Sequence, residues 1–291
     1  MPEPRLRQLL AGGCLAAALI APALAGEPAT KLASIAPDKP GTLAVGYSIA
    51  FWGIPFGHTN YDGKFDDAAY TVKSHFKTSG IVSVFWQSEI DATANGHYTP
   101  HAIEPTLYDS YSRRSEEKKE RVKVSYDGAG PPQVFADPPY SQTQYPVSDK
   151  EKEESLDPMS AATSIIAGVT ADEKNPCGKV APVFDGRRRY NIEFTYVKDE
   201  KVKLDDGLFD GTAHLCTIKY HQIAGFKPKM IKEGDKWPPI YGYFADIPSA
   251  GAPNGHYVLA VKLWAPTTWG TVSVQLEKLS VNGTDAGASK G

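Results

Sequence analysis

The sequence predicts a mainly β fold: a long, strongly curved antiparallel sheet, a β-spiral or incomplete barrel, with one central helix against its apolar side. Three observations carry this. Runs of alternating apolar and polar residues recur along the chain, the pattern of half-buried strands. Clusters of Gly, Pro, Asn and Asp separate the runs. Only one segment has a full set of helix signals, so the strand–helix alternation of a parallel α/β enzyme is missing. An amphipathic sheet of this size must cover its apolar face by closing into a barrel, stacking as a sandwich or curling around the helix.

The first run begins at Thr42. Leu43, Val45, Tyr47, Ile49 and Phe51 share one face, and Thr42, Ala44, Gly46 and Ser48 the other. Asp62-Gly63 reads as a turn. Tyr70, Val72, Ser74 and Phe76 then alternate against Thr71, Lys73, His75 and Lys77. Residues 81–94 fit a strand or a short helix equally well. Further strands are expected at 122–126, 190–196, 216–220, 257–263 and 272–276. The proline-rich stretch 128–146 reads as a surface loop between two sheet halves, and the charge run 149–154 as a solvated lead-in to the helix. In that helix Asp157 is a good N-cap and Pro158 suits the first turn. Met159, Ala162, Thr163 and Ile166 fall on one face, and Gly168 can end it.

The chain has 291 residues, 41% hydrophobic, 22% charged and 11% aromatic, which excludes collagen-like, mucin-like and wholly disordered classes. Thirty-one basic residues against 34 acidic ones give a net charge of −3, too weak a field to hold nucleic acid. Arg5 and Arg7, an apolar stretch over 9–20, Pro22 and Ala23-Leu24-Ala25 have the order of a secretory signal peptide cleaved after Ala25. A membrane anchor is the alternative, but the apolar run is too short for roughly 30 Å of hydrocarbon. No later segment has the unbroken apolar length of a span. Cys14 would leave with the signal. The expected organisation is a signal peptide over 1–25, a linker over 26–41, a single β-rich domain over 42–280 and a flexible tail over 281–291.

Two cysteines then remain, Cys177 and Cys216. Export to an oxidising compartment favours a disulfide between them. A metal site or a catalytic thiol are the alternatives, with His214 and His221 the only nearby histidines. In residues 184–190, Asp185-Gly186 makes a turn, and counting back by two from Tyr190, Ile192, Phe194 and Tyr196 puts Arg188 on the apolar face. Such an arginine is either paired, with Asp185 for example, or part of an anion site with Asp185 and Tyr190 at the mouth of an apolar cavity. His97 and His101 supply at most half a zinc site, and the acidic stretch 204–211 reads as a pair of turns. No nucleophile elbow, metalloprotease, phosphate-loop or dinucleotide pattern is present. The reading therefore expects no catalytic residue, no metal and no cofactor. A hydrolase would require titratable groups to converge in space, with His214, His221, Asp185 and Glu193 the first to inspect.

Leu156-Asp157-Pro158-Met159-Ser160-Ala161, Cys177, Val183-Phe184-Asp185-Gly186-Arg187-Arg188-Arg189-Tyr190, Cys216-Thr217-Ile218-Lys219-Tyr220 and Ile223-Ala224-Gly225-Phe226 occur in this order. The series resembles exported proteobacterial proteins grouped as domain of unknown function 3108, over residues 42–279. The resemblance implies a signal peptide, a periplasmic location, a Cys177–Cys216 pair and a helix started by Asp157 and Pro158, with no reaction to carry over. By analogy with the curled sheet of periplasmic lipoprotein carriers, the expected protein is a non-catalytic envelope protein. It would bind a hydrophobic or lipidic ligand, or an envelope partner, inside the curl. A structural or interaction protein with a solid core, and a cell-wall or lipid hydrolase, are the alternatives.

Overall fold

The structure is a computed structural model and describes residues 40–66, 68–80, 83, 87–115, 117–128, 130–140 and 144–286. The expected signal peptide, nearly all of the expected linker and the end of the expected tail lie outside the described residues.

The first half of the chain forms β1 (Gly41–Phe51), β2 (Ile54–Asp66), β3 (Ala69–Thr78), β4 (Glu89–Thr99), β5 (Ala102–Ser115), β6 (Lys118–Ser125) and β7 (Gln133–Asp137). Two helices follow, α1 (Asp149–Glu153) and α2 (Pro158–Ile166). The second half forms β8 (Val180–Phe184), β9 (Arg189–Lys203), β10 (Asp210–Ala224), helix α3 (Pro228–Gly234), β11 (Ile240–Pro248), β12 (His256–Thr267), β13 (Gly270–Val281) and β14 (Thr284–Asp285). All belong to one antiparallel sheet in the order β7-β6-β5-β4-β3-β2-β1-β13-β12-β11-β10-β9-β8, with β14 on β13. Two meanders are thus joined where the first strand pairs with the last long one, from Leu43↔Val281 to Phe51↔Val272.

The sheet does not close through hydrogen bonds, and β7 and β8 are its edges. Leu156 covers part of the β8 edge: its N–H donates to the Pro182 carbonyl at 2.9 Å, and the Phe184 N–H donates back to its carbonyl at 2.8 Å. The curl also brings the β8–β9 turn against β6 and β7. A Cβ on Gly186 (φ +90°) would lie 2.6 Å from Val122 Cγ1, so only glycine fits this close approach.

The interior is filled. Leu43, Val72, Tyr70, Val124, Tyr257, Leu259, Val261 and Leu276 are at most 1% exposed. Each such side chain contributes about 1.5–3 kcal/mol by leaving water. Helix α2 packs inside them. The Asp157 carboxylate caps it by accepting from the Met159 and Ser160 N–H groups at 2.9 and 2.8 Å, and Gly168 (φ +67°) takes up the left-handed turn just past its end. The inward side is more polar than the sequence pattern suggests: Ser160, Ala161, Thr163 and Ser164 are buried with Met159, while Ala162 and Ile166 are half-buried. Small residues let the helix sit deep, and its hydroxyls are satisfied there. Ser160 Oγ lies 2.7 Å from Tyr70 Oη, and Thr163 Oγ1 lies 3.0 Å from Tyr61 Oη.

Several local expectations change. Asp62-Gly63 is not a turn but the middle of β2, where the rings of Tyr61 and Phe65 close over Gly63 at 3.1 and 3.0 Å from where a Cβ would sit. The proline-rich stretch contains the edge strand β7. The charge run forms α1, started by a reciprocal capping box between Ser148 and Glu151. Val281 ends β13, and Thr284-Asp285 pairs back on it, so residues 281–285 of the expected tail form a tight hairpin on the sheet.

Candidate functional site

Asp185, Arg188 and Tyr190 do not form an inward anion site. The strand starts only at Arg189, so the period-two count does not extend back through the turn. Asp185 Oδ1 accepts the Arg187 and Arg188 N–H groups at 2.9 and 2.7 Å and so shapes the turn. Burial raises the Asp185 pKa, with these backbone bonds opposing it. Arg188 is exposed, its guanidinium 5.5 Å from the Phe226 ring centroid, and Arg187 lies 5.2 Å from that of Tyr140. Tyr190 packs on Tyr220 with ring centroids 4.7 Å apart.

The buried cation is Arg189, 9% exposed. Its Nη1 donates to the Tyr190 carbonyl at 2.6 Å and Asn191 Oδ1 at 2.7 Å. Burial lowers its pKa, and the charges of Glu151 and Glu154 on and beside α1 oppose that shift. The charge run therefore faces a buried arginine. Nothing in the local pattern separates Arg189 from Arg188, because the phase depends on where the turn ends.

Cys177 and Cys216 are bonded, with Cα atoms 6.4 Å apart and neither residue exposed. The bond ties the segment after α2 to β10. Beside it is a cleft of about 510 Å³ lined by Asp172, Glu173, Tyr196, Asp199, His214, Asp246 and His256. His214 Nδ1 lies 2.6 Å from Asp199 Oδ1, and Nε2 lies 3.1 Å from Asp246 Oδ2. Tyr196 Oη donates to Asp199 Oδ1 at 3.0 Å, and His256 Nε2 is 3.7 Å from Asp246 Oδ1. Burial opposes protonation of His214, but its bonds to the two aspartates outweigh this and raise its pKa. A ring that donates from both nitrogens has no lone pair for a general base. Its chemistry here is to pin β9, β10 and β11 together while charged. His214 was among the residues singled out by sequence, but Asp199, Asp246 and His256 were not, since their convergence comes from strand register.

The remaining expectations separate. His221 pairs instead with Glu193, Nε2 to Oε2 at 2.8 Å, apart from the His214 group. His97 and His101 build no metal site; among the described residues no His/Cys/Asp/Glu group could hold a metal ion. The acidic stretch is the β9–β10 turn, closed by the Leu204 N–H donating to the Phe209 carbonyl at 2.9 Å.

Buried Asp157 is the most perturbed carboxyl. Burial raises its pKa to about 6, although Ser160 Oγ and the Ser160 and Met159 N–H groups all donate to it. It is a folding element, sealed inside the curl at 0% exposure. A second cleft, of about 750 Å³, lies at the seam where Leu156 covers the β8 edge and is lined by Ile103, Pro105, Tyr126, Pro132, Leu156 and Pro182 with Glu153 and Glu154.

Among curated proteins none matches this chain. Of solved structures, the chain is similar to the crystal structure of a beta-barrel-like protein of domain of unknown function DUF1849 from Brucella abortus, at 14% identity and a TM-score of 0.45, over 84% of this chain and 98% of that one. The family model for the protein of unknown function DUF3108 matches residues 45–277. The chain belongs to that family, DUF3108.

Proposed function

We propose that this is an exported, non-catalytic envelope protein that works through its outer surface, as a rigid interaction module. The observation that carries this reading is the filled interior. Helix α2 occupies the curl, capped by Asp157 and hydrogen-bonded to Tyr61 and Tyr70, in the place where the lipidic ligand expected from sequence would lie. The Cys177–Cys216 bond accords with export, and no helix of the described residues is long and apolar enough to cross a membrane. The double clamp on His214 argues against hydrolysis in the cleft where His214 and His256 gather with Asp199 and Asp246.

A narrower ligand reading keeps one support. The seam cleft has the volume of a small-molecule site, about 300–1,000 Å³. An apolar ligand would lie there, outside the helix plug.

Expression of the full chain in a Gram-negative host, followed by fractionation and native mass spectrometry, tests both. The proposal expects periplasmic protein beginning at Gly26, oxidised, with no bound lipid. Cytoplasmic protein with an uncut N-terminus would refute export. A stoichiometric lipid adduct would refute the solid-module reading and favour the seam cleft.

A further inference from the structure

The two ends of the curled sheet differ in a way that the fold does not require. Because the strands alternate in direction, connections 52–53, 185–188, 225–239 and 268–269 lie at one end with the described residues of 79–88 and 116–117, and 100–101, 126–132, 204–209, 249–255 and 282–283 lie at the other with Ala68. The second end carries Asp127, Asp205 and Asp206 and, among the described residues, no Lys, Arg or Trp. The first presents Trp52 at 73% exposure, Trp269 at 80% and Trp237 at 55%.

Two turns with the same backbone make the contrast concrete. Asn282-Gly283 joins β13 to β14 with φ of 52° and 77°, and Trp52-Gly53 joins β1 to β2 with φ of 52° and 77°. Asn-Gly is the pair such a two-residue turn favours. At the other end the left-handed position holds tryptophan, a bulky residue that this conformation disfavours, with its ring in solvent. The neighbouring β12–β13 tip makes way for that ring: a Cβ on Gly270 would lie 2.8 Å from Trp52 Nε1. Trp269 precedes Gly270 in the two-residue tip between Thr267 and Gly270.

These tips project. Pairing with β3 stops at Gly57, while β1–β2 continues to Ile54; pairing with β11 stops at Trp264, while β12–β13 continues to Thr267. On the β12 flank three further residues carry the tip about 10 Å past the end of the β11 pairing; on the β2 flank the chain after β3 follows as far as Phe56, whose carbonyl accepts the Ser79 N–H at 2.7 Å. Alongside lie the β10–β11 and β8–β9 connections, which touch where Gly225 meets the Arg187 backbone. They hold Arg187, Arg188, Lys227, Lys229, Lys232 and Lys236 against three carboxylates, of which Asp185 is turned into its own loop.

We infer that this end docks on an anionic lipid surface, with Trp52 and Trp269 entering the headgroup region and the flanking cations facing lipid phosphates. Indole rings favour the boundary between water and hydrocarbon, and basic residues add attraction that salt weakens. Exposed rings on two hairpin tips suit a deformable surface; a protein partner would have to offer a matching concavity. The inference rests on the reading that the outer surface does the work, but not on export or on a ligand-free interior.

The test is sedimentation with vesicles of three parts phosphatidylethanolamine to one part phosphatidylglycerol, and with phosphatidylcholine alone, using proteins with identical N-termini. The wild type is expected to bind the anionic vesicles, less at high salt, with a blue shift of tryptophan emission. Trp52→Asn with Trp269→Thr should weaken binding about tenfold or more, with an undiminished melting temperature because both rings are exposed. Lys229→Glu with Lys232→Glu and Lys236→Glu should selectively weaken binding to the anionic vesicles. Wild-type protein that ignores vesicles, a tryptophan double variant that binds equally, or self-association through the tips without vesicle binding would each overturn the inference. None of these results would touch the solid-interior reading.

Discussion

Two turns in this molecule share one backbone shape and opposite chemistry. Asn282 in one is stitched into the fold: its Oδ1 accepts the Thr42 N–H at 2.9 Å, and its Nδ2 donates to Ser249 Oγ at 3.2 Å. Trp52 in the other is held through its backbone, its N–H donating to the Thr271 carbonyl at 2.9 Å, while its ring rests on Phe51 and the surface of the next hairpin and stays 73% exposed. The difference teaches where the fold is held and where it is merely continued. The interior and the asparagine end hold the chain together. The tryptophan end adds strain and apolar exposure with little packing, the Trp52 ring resting on the hairpin surface at Gly270 and on the Phe51 ring.

If that division is right, variants should rank by which part they touch. Breaking the Cys177–Cys216 bond should cost most, about 4 kcal/mol for a closed loop of 39 residues by the chain-entropy account. Denaturant titration of the Cys177→Ala, Cys216→Ala protein against the oxidised wild type measures it, and equal midpoints would contradict an interior that needs this tie.

Asp157→Ala should cost about 2 kcal/mol, since it strips the cap from α2 and leaves the Met159 and Ser160 N–H groups buried without their acceptor. The same residue sets a pH dependence. A carboxyl whose folded pKa is raised to about 6 holds its proton better in the folded state than in the unfolded chain. Its contribution is therefore most favourable below the unfolded value, near 4, and declines as pH rises through about 6. Asp157→Asn should flatten that decline in melts taken from pH 4 to 7.

Asn282→Trp should cost about 2 kcal/mol, from two lost hydrogen bonds and a bulky side chain in the left-handed position. Trp52→Asn should do the reverse and raise stability by about 0.5–1 kcal/mol. The smallest effect belongs to His214, about 1 kcal/mol or less because its aspartate partners are exposed. Its raised pKa stabilises the fold fully below the unfolded value and is lost as pH rises through the folded one. His214→Gln should therefore narrow the stability gap between pH 5 and pH 8, by differential scanning calorimetry at each pH.

Much of this architecture was legible in the sequence because it is written locally. The alternation at Leu43, Val45, Tyr70 and Val72 marks strands, and Asp157-Pro158 marks a helix start, with no knowledge of what lies opposite. What could not be read depends on pairing. Arg189 rather than Arg188 is buried because the turn held by Asp185 resets the phase. Asp62-Gly63 has turn composition but sits in a long strand, where Tyr61 and Phe65 need a glycine between their rings. The His214 clamp joins three strands, and the union of the first and last long strands leaves no local mark. Trp52-Gly53, two residues between alternating runs, does carry a readable signal: tryptophan where a hairpin would favour asparagine.

The exchange of turn residues tests the central division most directly. Paired thermal melts of Trp52→Asn and Asn282→Trp, each against the wild type, are predicted to move in opposite directions, up for the first and down for the second. A fall in both, by similar amounts, would mean that Trp52 supports the fold as Asn282 does, and would contradict the account.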